Sequence, residues 1–328
     1  MIEKIVLNTK KHIFETPENI AEKLKYFKEI SNTGLEIYST EELEKIQSDF
    51  NKFLNINLTL FAEIEPTKLF RITRNKLLYK ENPYKLQKIS DLMGPPIEFA
   101  NIGRVNKKGE SVFYCALDFS TAVWEMQPEV GEYITVSEWK IKEGQKLINH
   151  FIFHPEETNL SEDSQKAQQA HLKEMGVIRD DYKKIFIEIS RFIAEEFMKP
   201  VDRAKNANYL FSSLIGSRFL QEEKDANGFK IESISYPSTR RDCEVTNLAI
   251  LNSLVLEKLD LVSATIMTVA ETNYDLENKY RKDLILVSAL QTESESFDFE
   301  NNKIYWNLKK ELEDGIRLYQ EMEDKKLK

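Results

Sequence analysis

The chain of 328 residues is long enough for one large domain with extensions or for two modest domains. Apolar residues make up 41% of it, which supports a substantial core and excludes a wholly disordered protein. The net charge of −9 argues against a broad nucleic-acid surface but allows a small basic pocket for a phosphorylated metabolite. Because no apolar run reaches the length of a membrane span, and no secretory signal is recognisable, we expect a cytoplasmic protein without membrane or nucleic-acid partners.

Residues 1–65 are predicted to form a helical N-terminal extension. Ser39 and Glu42 have the spacing of a capping box at the start of one helix. The apolar face on residues 43–54 is typical of an amphipathic helix that packs on its own domain. Self-association as a homodimer and shielding of a pocket remain alternatives for this face. Pro66 is a sensible boundary of the extension.

After this boundary, strands and helices mingle without the regular alternation of a doubly wound sheet, which predicts the α+β class. We expect a central domain over residues 66–266, with an insertion of loops and a helix at about 144–200. A C-terminal strand and helix, over 267–328, are expected to pack on this domain. The predicted strands are Lys68–Thr73, Val112–Ala116, Tyr133–Ile141, Ile231–Tyr236 and Leu284–Leu290, and the last helix is predicted from about Lys303.

Cysteine and histidine positions do not predict a metal site. Cys115 and Cys243 lie far apart without CxxC spacing, which favours a reducing compartment over a disulfide framework. His150 and His154 are four residues apart, but Pro155 follows at once and makes a helical ligand pair doubtful. We therefore expect these histidines to be polar loop residues.

Several common catalytic motifs are absent. The chain has no GxGxxG after a strand, no GxxxxGK[ST] and no GxSxG, which argues against a Rossmann site, a P-loop and a nucleophile elbow.

Four polar residues near strand ends are candidates for chemistry. They are Arg104, Tyr114, Glu125 and Ser238. Each also has an ordinary structural explanation. Arg104 fits a surface loop and Tyr114 fits the core, Glu125 fits a helix N-terminus that favours carboxylates, and Ser238 fits a turn after proline.

Ordered blocks of sequence around these residues resemble the RES family, a toxin-like domain named for an Arg, a Glu and a Ser. The blocks are FRITR at 70–74, GRVN at 103–106, VFYCA at 112–116, TAVWE at 121–125, ISYPSTR at 234–240 and NLA at 247–249. Together they cover roughly residues 68–266. Two positions depart from the family pattern: Val105 replaces an aromatic residue, and residues 242–246 replace a Gly-rich turn.

The resemblance implies an ADP-ribosyltransferase-like mixed sheet flanked by helices, with the helical N-terminal segment added. It also implies cleavage of NAD at the nicotinamide–ribose bond. Members of the family act as toxins of type II toxin–antitoxin systems that deplete NAD by hydrolysis or phosphorolysis, each controlled by an antitoxin partner. NAD is then the substrate, and no separate cofactor or metal is expected.

The family's functional residues carry over to matching positions. Glu125 would stabilise oxocarbenium character on the ribose. An arginine suits the anionic pyrophosphate because its fork can bind in bidentate fashion, with Arg104 the first choice and Arg71 the second. Tyr114 would stack on nicotinamide or ribose, and Ser238 would hydrogen-bond the nicotinamide or a ribose hydroxyl.

Asn247 and Arg240 are weaker carry-overs as substrate-binding residues. Two other functions stay open at this point. The first is ADP-ribosyl transfer to a macromolecule, and the second is nucleotide binding or partner docking without turnover.

Overall fold

The computed structural model describes residues 6–9, 15–54, 58–78, 86–176, 178–201, 206–222, 230–238, 244–272 and 286–307. The helices are α1 (Pro17–Thr33), α2 (Thr40–Phe53), α3 (Asn75–Leu78), α4 (Phe119–Met126), α5 (Glu162–Met175), α6 (Asp180–Met198), α7 (Leu210–Ser217) and α8 (Val255–Lys258). The strands are β1 (Val6–Thr9), β2 (Leu58–Ile64), β3 (Leu69–Arg74), β4 (Val112–Ala116), β5 (Tyr133–Ile141), β6 (Leu147–Phe151), β7 (Ser233–Pro237), β8 (Thr246–Leu251), β9 (Leu259–Thr272), β10 (Leu286–Ser294), β11 (Ser296–Asp298) and β12 (Lys303–Tyr305).

One large mixed sheet organises the described part of the chain. Its ten strands follow the order β1-β2-β6-β7-β8-β4-β3-β5-β9-β10, and β11 and β12 form a separate pair. Neighbouring strands are antiparallel except β6 and β7, which run parallel. The central strands β7 and β8 are buried along their whole length. The α+β class predicted from the sequence is confirmed.

Helices cover one face of this sheet. The rings of Phe27 and Phe50 have their centroids 4.9 Å apart, and that of Phe211 lies 4.7 Å from Phe50, in edge-to-face geometry. These rings come from α1, α2 and α7, and Phe192 of α6 joins them. The N-terminal helices therefore share one hydrophobic core with helices from the middle of the chain.

The N-terminal extension differs in part from the prediction. The capping box of Ser39 and Glu42 is confirmed at the start of α2. However, residues 1–65 also contribute strands β1 and β2, and β2 pairs with β6 of the central sheet. The reason is visible in the sequence LTLFAEI, where apolar residues alternate as in a half-buried strand. The extension is consequently not purely helical.

The insertion at 144–200 also does more than predicted. Besides α5 and α6 it supplies β6, which lies between β2 and β7 in the sheet. The polar residues Asn149 and His150 masked this strand in the sequence, and both are buried. The Asn149 Oδ1 accepts hydrogen bonds from Ser233 Oγ (2.9 Å) and Ser235 Oγ (3.1 Å). The ring centroids of His150 and Phe219 lie 3.9 Å apart with the planes tilted by 33°. His150 is thus a core strand residue, where a loop residue was predicted.

At the C-terminal end, the strand predicted at Leu284–Leu290 is found as β10 (Leu286–Ser294), which pairs with β9. Lys303 begins β12, where a helix was predicted to begin. Ile304 is buried in the core of the second sheet face, and Trp306 Nε1 donates to the Leu86 carbonyl at 2.7 Å. The remainder of the predicted helix lies outside the described residues.

Candidate functional site

A cleft of about 320 Å³ opens beside β3, β4, β7, β8 and the end of α4. Five of the residues singled out in the sequence line it: Arg71, Arg104, Tyr114, Glu125 and Asn247. Ser238 is fully buried and its hydroxyl reaches Glu125. Arg240 lies outside the described residues. The cleft therefore collects side chains from both ends of the central domain.

Glu125 occupies the last turn of the eight-residue helix α4, not its first turns as predicted. The helix begins at Phe119, and Asp118 caps it by accepting from the Thr121 amide at 2.8 Å. It ends at Gln127, which has a left-handed conformation with φ 40°. A carboxylate at a helix C-terminus is not favoured by the helix dipole. Its placement needs partners elsewhere.

Ser238 and Asn247 supply those partners. Ser238 Oγ donates to Glu125 Oε1 at 2.5 Å, and Asn247 Nδ2 donates to the same oxygen at 2.7 Å. Two donors on one oxygen fix the plane and direction of the carboxylate. These contacts explain how a carboxylate is kept at this helix end.

Strand pairing brings the distant blocks together. In β8, Asn247 lies opposite Ala116 of β4 on one side and opposite Tyr236 of β7 on the other. Ser238 follows directly after β7, and its amide donates to the Val245 carbonyl at 2.9 Å. Because α4 follows β4, the β4–β8–β7 ladder places Glu125 against the ends of the other two strands.

Tyr114 presents its ring to the cleft and uses its hydroxyl to hold the loop before it. The hydroxyl donates to Asn106 Oδ1 at 2.7 Å and accepts from the Val105 amide at 2.9 Å. A Cβ at Gly103 would lie 2.6 Å from Asn106 Oδ1 and 2.8 Å from this hydroxyl, so a larger residue there would displace these hydrogen bonds. Burial raises the pKa of Tyr114 well above its usual value, and the phenol stays neutral.

Arg104 does not point a free guanidinium into solvent. Its Nη1 donates to the carbonyls of Phe197 (2.5 Å) and Glu196 (3.3 Å), and its Nη2 donates to that of Lys199 (3.1 Å). Its guanidinium carbon also lies 5.3 Å from the centre of the Tyr209 ring. Arg104 therefore caps the C-terminus of α6 while bordering the cleft.

Arg71 is only partly hydrogen-bonded among the described residues. Its Nη1 donates to the Tyr114 carbonyl at 2.9 Å, but its buried Nε has no hydrogen-bond partner among the described residues. Burial lowers the pKa of Arg71 to about 10, so the side chain remains cationic at neutral pH. A cation that lines a cleft is suited to an anionic ligand.

Val105, where the resembling family has an aromatic residue, lies in the core and not in the cleft. It is fully buried, and a Cβ at Gly216 would come within 2.5 Å of its Cα. Helix α7 therefore presses directly on this part of the chain. The departure at Val105 affects packing beneath the Arg104 loop.

Two tyrosines of the cleft were missed as site residues. Tyr236 belongs to the second sequence block, but only its burial beside Asn247 shows that it lines the cleft. Tyr209 comes from a single-turn 3-10 helix, Asn206–Tyr209, with no recognisable motif around it. Only its contact with Arg104 brings it to the site.

The described residues contain no cluster of three or more His, Cys, Asp or Glu side chains that could hold a metal ion. In the same part of the chain, none of the helices combines the length and apolarity needed to cross a bilayer. Cys115 is free and buried, and burial raises the pKa of its thiol.

Comparison with protein families gives one clear match. The model of the RES domain matches residues 69–266, which is more than half of the chain and includes every candidate residue. No curated protein matches the chain. The family match also confirms that the mixed sheet is of the ADP-ribosyltransferase-like type.

Proposed function

Because the chain belongs to the RES domain family, which is associated with NAD and with toxin–antitoxin systems, we propose that it binds NAD in this cleft and cleaves the nicotinamide–ribose bond. One observation carries the proposal. The carboxylate of Glu125 is held by Ser238 and Asn247 in a cleft that also contains the cationic Arg71.

The carboxylate suits the charge that this reaction develops. When the bond between ribose C1′ and the nicotinamide nitrogen breaks, its electron pair neutralises the pyridinium ring and leaves oxocarbenium character on the ribose. Glu125 would stabilise that positive charge, with its orientation set by the two donors on Oε1. Water attacks C1′ and loses a proton, giving ADP-ribose and nicotinamide. Phosphate as the acceptor gives a phosphorylated ADP-ribose.

Arg71 is the better of the two arginines for the pyrophosphate. Its guanidinium donates to one carbonyl, that of Tyr114, whereas the Arg104 guanidinium is already bonded to three. A charge-assisted contact from Arg71 would anchor the anionic part of NAD in the cleft. Arg104 would act at the border of the site, where its contact with Tyr209 adds an aromatic wall.

The tyrosine rings supply the stacking surface. Tyr114 lines the cleft with its hydroxyl already bonded to the loop, so its ring is presented in a fixed orientation. We propose that this ring contacts nicotinamide or ribose. Ser238 differs from a serine nucleophile, because its hydroxyl donates to a carboxylate and not to a histidine base.

Release of nicotinamide from NAD by the purified protein tests the proposal. Glu125→Gln keeps the shape of the side chain and removes its charge, and we expect loss of at least about 100-fold in rate, about 2.7 kcal/mol. Glu98→Gln, at an exposed carboxylate in the turn Ile97–Phe99, is the matched control and should behave as wild type. A folded wild type that releases no nicotinamide would refute the proposal.

Two further experiments with NAD distinguish the other functions. With NAD labelled in the adenylate part, label on protein or nucleic acid would indicate transfer to a macromolecule. NAD binding by calorimetry without turnover would indicate a binding module. Free ADP-ribose, or its phosphorylated form, is the expected product.

We further propose that the protein acts on the cytoplasmic NAD pool and that an antitoxin protein restrains it. The basis is the association of the RES family with toxin–antitoxin systems. Expression of the wild type, but not of Glu125→Gln, should lower cellular NAD, and the product of a neighbouring antitoxin-like gene should restore it.

A further inference from the structure

The C-terminus of α6 is the point at which Arg104 is held. The last carbonyls of a helix have no partner within the helix, and cations are favoured there. Arg104 satisfies the carbonyls of Glu196 and Phe197 and that of Lys199, the residue after the helix. On its other side the guanidinium packs on Tyr209. The position of Arg104 and of this aromatic wall therefore depends on where α6 ends.

Helix α1 of the N-terminal extension fixes that end. Ser31 Oγ donates to Glu196 Oε1, and Lys199 Nζ donates to the Ser31 carbonyl at 2.6 Å and to Ser31 Oγ at 3.0 Å. The Ser31 carbonyl is itself one of the last in α1, so Lys199 caps α1 while Arg104 caps α6. Ser31 thus contacts both Glu196 and Lys199, which lie on either side of the Phe197 carbonyl that Arg104 binds.

Glu196 makes this junction costly to disturb. Its side chain is 5% exposed, and its Oε2 is buried without a hydrogen-bond partner among the described residues. Burial raises the pKa of this carboxyl. If Ser31 were lost, neither carboxyl oxygen would have a hydrogen-bond partner among the described residues, and the last turn of α6 would have to move to hydrate the group.

We propose that Ser31 and Glu196 are positioning residues for the cleft, because they fix the end of α6 that holds Arg104, and Arg104 in turn packs on Tyr209. The N-terminal helix α1 is then part of the apparatus that binds substrate. For the effect on NAD this inference rests on the proposed function, but the effect on Arg104 does not.

A second link between the same helices provides the matched control. Lys28 Nζ of α1 lies 3.0 Å from Glu188 Oε2 of α6, more than two turns before the carbonyls that Arg104 caps. Lys28→Met breaks this link and leaves Ser31, Glu196 and Lys199 intact. General loosening of α1 against α6 would affect both variants, whereas positioning of Arg104 is disturbed only by Ser31→Ala.

The first test observes the Arg104 guanidinium directly by NMR of arginine side-chain N–H groups labelled with ¹⁵N. The Arg104 signal is identified by its loss in Arg104→Lys. We expect it to be protected from solvent exchange in wild type and in Lys28→Met, and at least about tenfold less protected in Ser31→Ala. Equal protection in Ser31→Ala and wild type would overturn the proposal. This result does not depend on NAD turnover.

The second test uses steady-state kinetics with NAD. Ser31→Ala and Glu196→Ala should raise KM about tenfold with kcat within about twofold, the pattern of lost ground-state binding. Glu196→Gln keeps an oxygen that accepts from Ser31 and should recover most of the wild-type KM. An unchanged KM in Ser31→Ala, or no recovery in Glu196→Gln, would contradict positioning. If wild type consumes no NAD, the proposed function fails and the NMR result alone decides this inference.

Discussion

The two sides of the cleft are built in different ways. The Glu125 wall, made of Glu125, Ser238 and Asn247, forms where three adjacent strands and the helix after β4 meet. The Arg104 wall, made of Arg104, Tyr209 and the last turn of α6, depends on a helix from the insertion. That helix is in turn held by α1 from the extension.

The difference suggests different roles for the two walls. The Glu125 wall consists of side chains bonded to one another, as expected for a group that must point at a reacting atom. In the Arg104 wall, the arginine bonds to backbone carbonyls and packs on the Tyr209 ring. We therefore expect substitutions in the first wall to change kcat, and those in the second to change binding or stability.

Removing a donor from the Glu125 wall should give the largest effect. Ser238→Ala and Asn247→Ala should each lower kcat about 100-fold, about 2.7 kcal/mol, because hydrogen bonds to a carboxylate are strong. Since both donors serve Glu125 Oε1, the double variant should lose less than the product of the two. Thr246→Val is the control, because Thr246 Oγ1 bonds Ser161 on the other sheet face. Fully additive losses would show that the donors act separately.

Arg71 lines the same cleft as the two walls, and its replacement tests which arginine binds the pyrophosphate. Arg71→Met should weaken binding of ADP-ribose about 30-fold, about 2 kcal/mol, and leave nicotinamide binding unchanged. Calorimetry with the two ligands measures this. If Arg71→Met binds ADP-ribose normally and Arg104→Lys does not, Arg104 is the pyrophosphate ligand.

The contrast between the walls also explains what the sequence could predict. Glu125, Ser238 and Asn247 lie in compact blocks next to strands, and antiparallel pairing brings such blocks together in a predictable way. Tyr209 and Ser31 lie in helical segments where nothing local distinguishes them from packing residues. Their roles come from side-chain contacts between helical segments that no strand pairing brings together: Tyr209 packs on Arg104, and Ser31 bonds Glu196, 165 residues away.

Strand β6 was missed for a related reason. Asn149 and His150 look like loop residues until the hydroxyls of β7 and the Phe219 ring are placed against them. The predicted helix start at about Lys303 was wrong, because Ile304 enters the core as a strand residue. Local pattern identifies a residue's preference, and tertiary partners decide whether that preference is kept.

The packing beneath the Arg104 wall offers a smaller test. Gly216→Ala would place a Cβ 2.5 Å from the Val105 Cα and 2.6 Å from its carbonyl oxygen, and backbone cannot yield as a side chain can. We expect a loss of about 1.5 kcal/mol in the free energy of unfolding, with a raised KM for NAD because Val105 adjoins Arg104. Denaturant unfolding measures the first and steady-state kinetics the second. Ser213→Ala, on the same helix with its hydroxyl donating to the Leu210 carbonyl one turn back, should change neither.

His171 should give the Arg104 wall a modest sensitivity to acid. It lies on α5, buried beside Phe153 with Nε2 3.4 Å from Ser190 Oγ of α6, and burial lowers its pKa to about 4. An unfolded histidine has a pKa of about 6.5, so between these values only the unfolded chain binds the proton. The contribution of neutral His171 is complete above about pH 6.5 and declines as the pH falls toward about 4. Between about pH 7 and about pH 5.5 the loss should be about 1 kcal/mol.

Denaturant unfolding over that pH range measures this loss. His171→Gln loses the packing of the ring on Phe153, so it should be less stable than wild type near neutral pH. Because glutamine does not take up a proton, the stability of this variant should decline less on acidification. The difference between the two stability curves isolates His171 from the carboxylates that titrate at lower pH. Parallel curves would show that His171 is not the acid-sensitive group. The expected result is a weaker dependence of the free energy of unfolding on pH in His171→Gln than in wild type. If the Arg104 N–H signal in wild type also loses its protection at low pH, the packing of α5 on α6 is connected to the Arg104 wall.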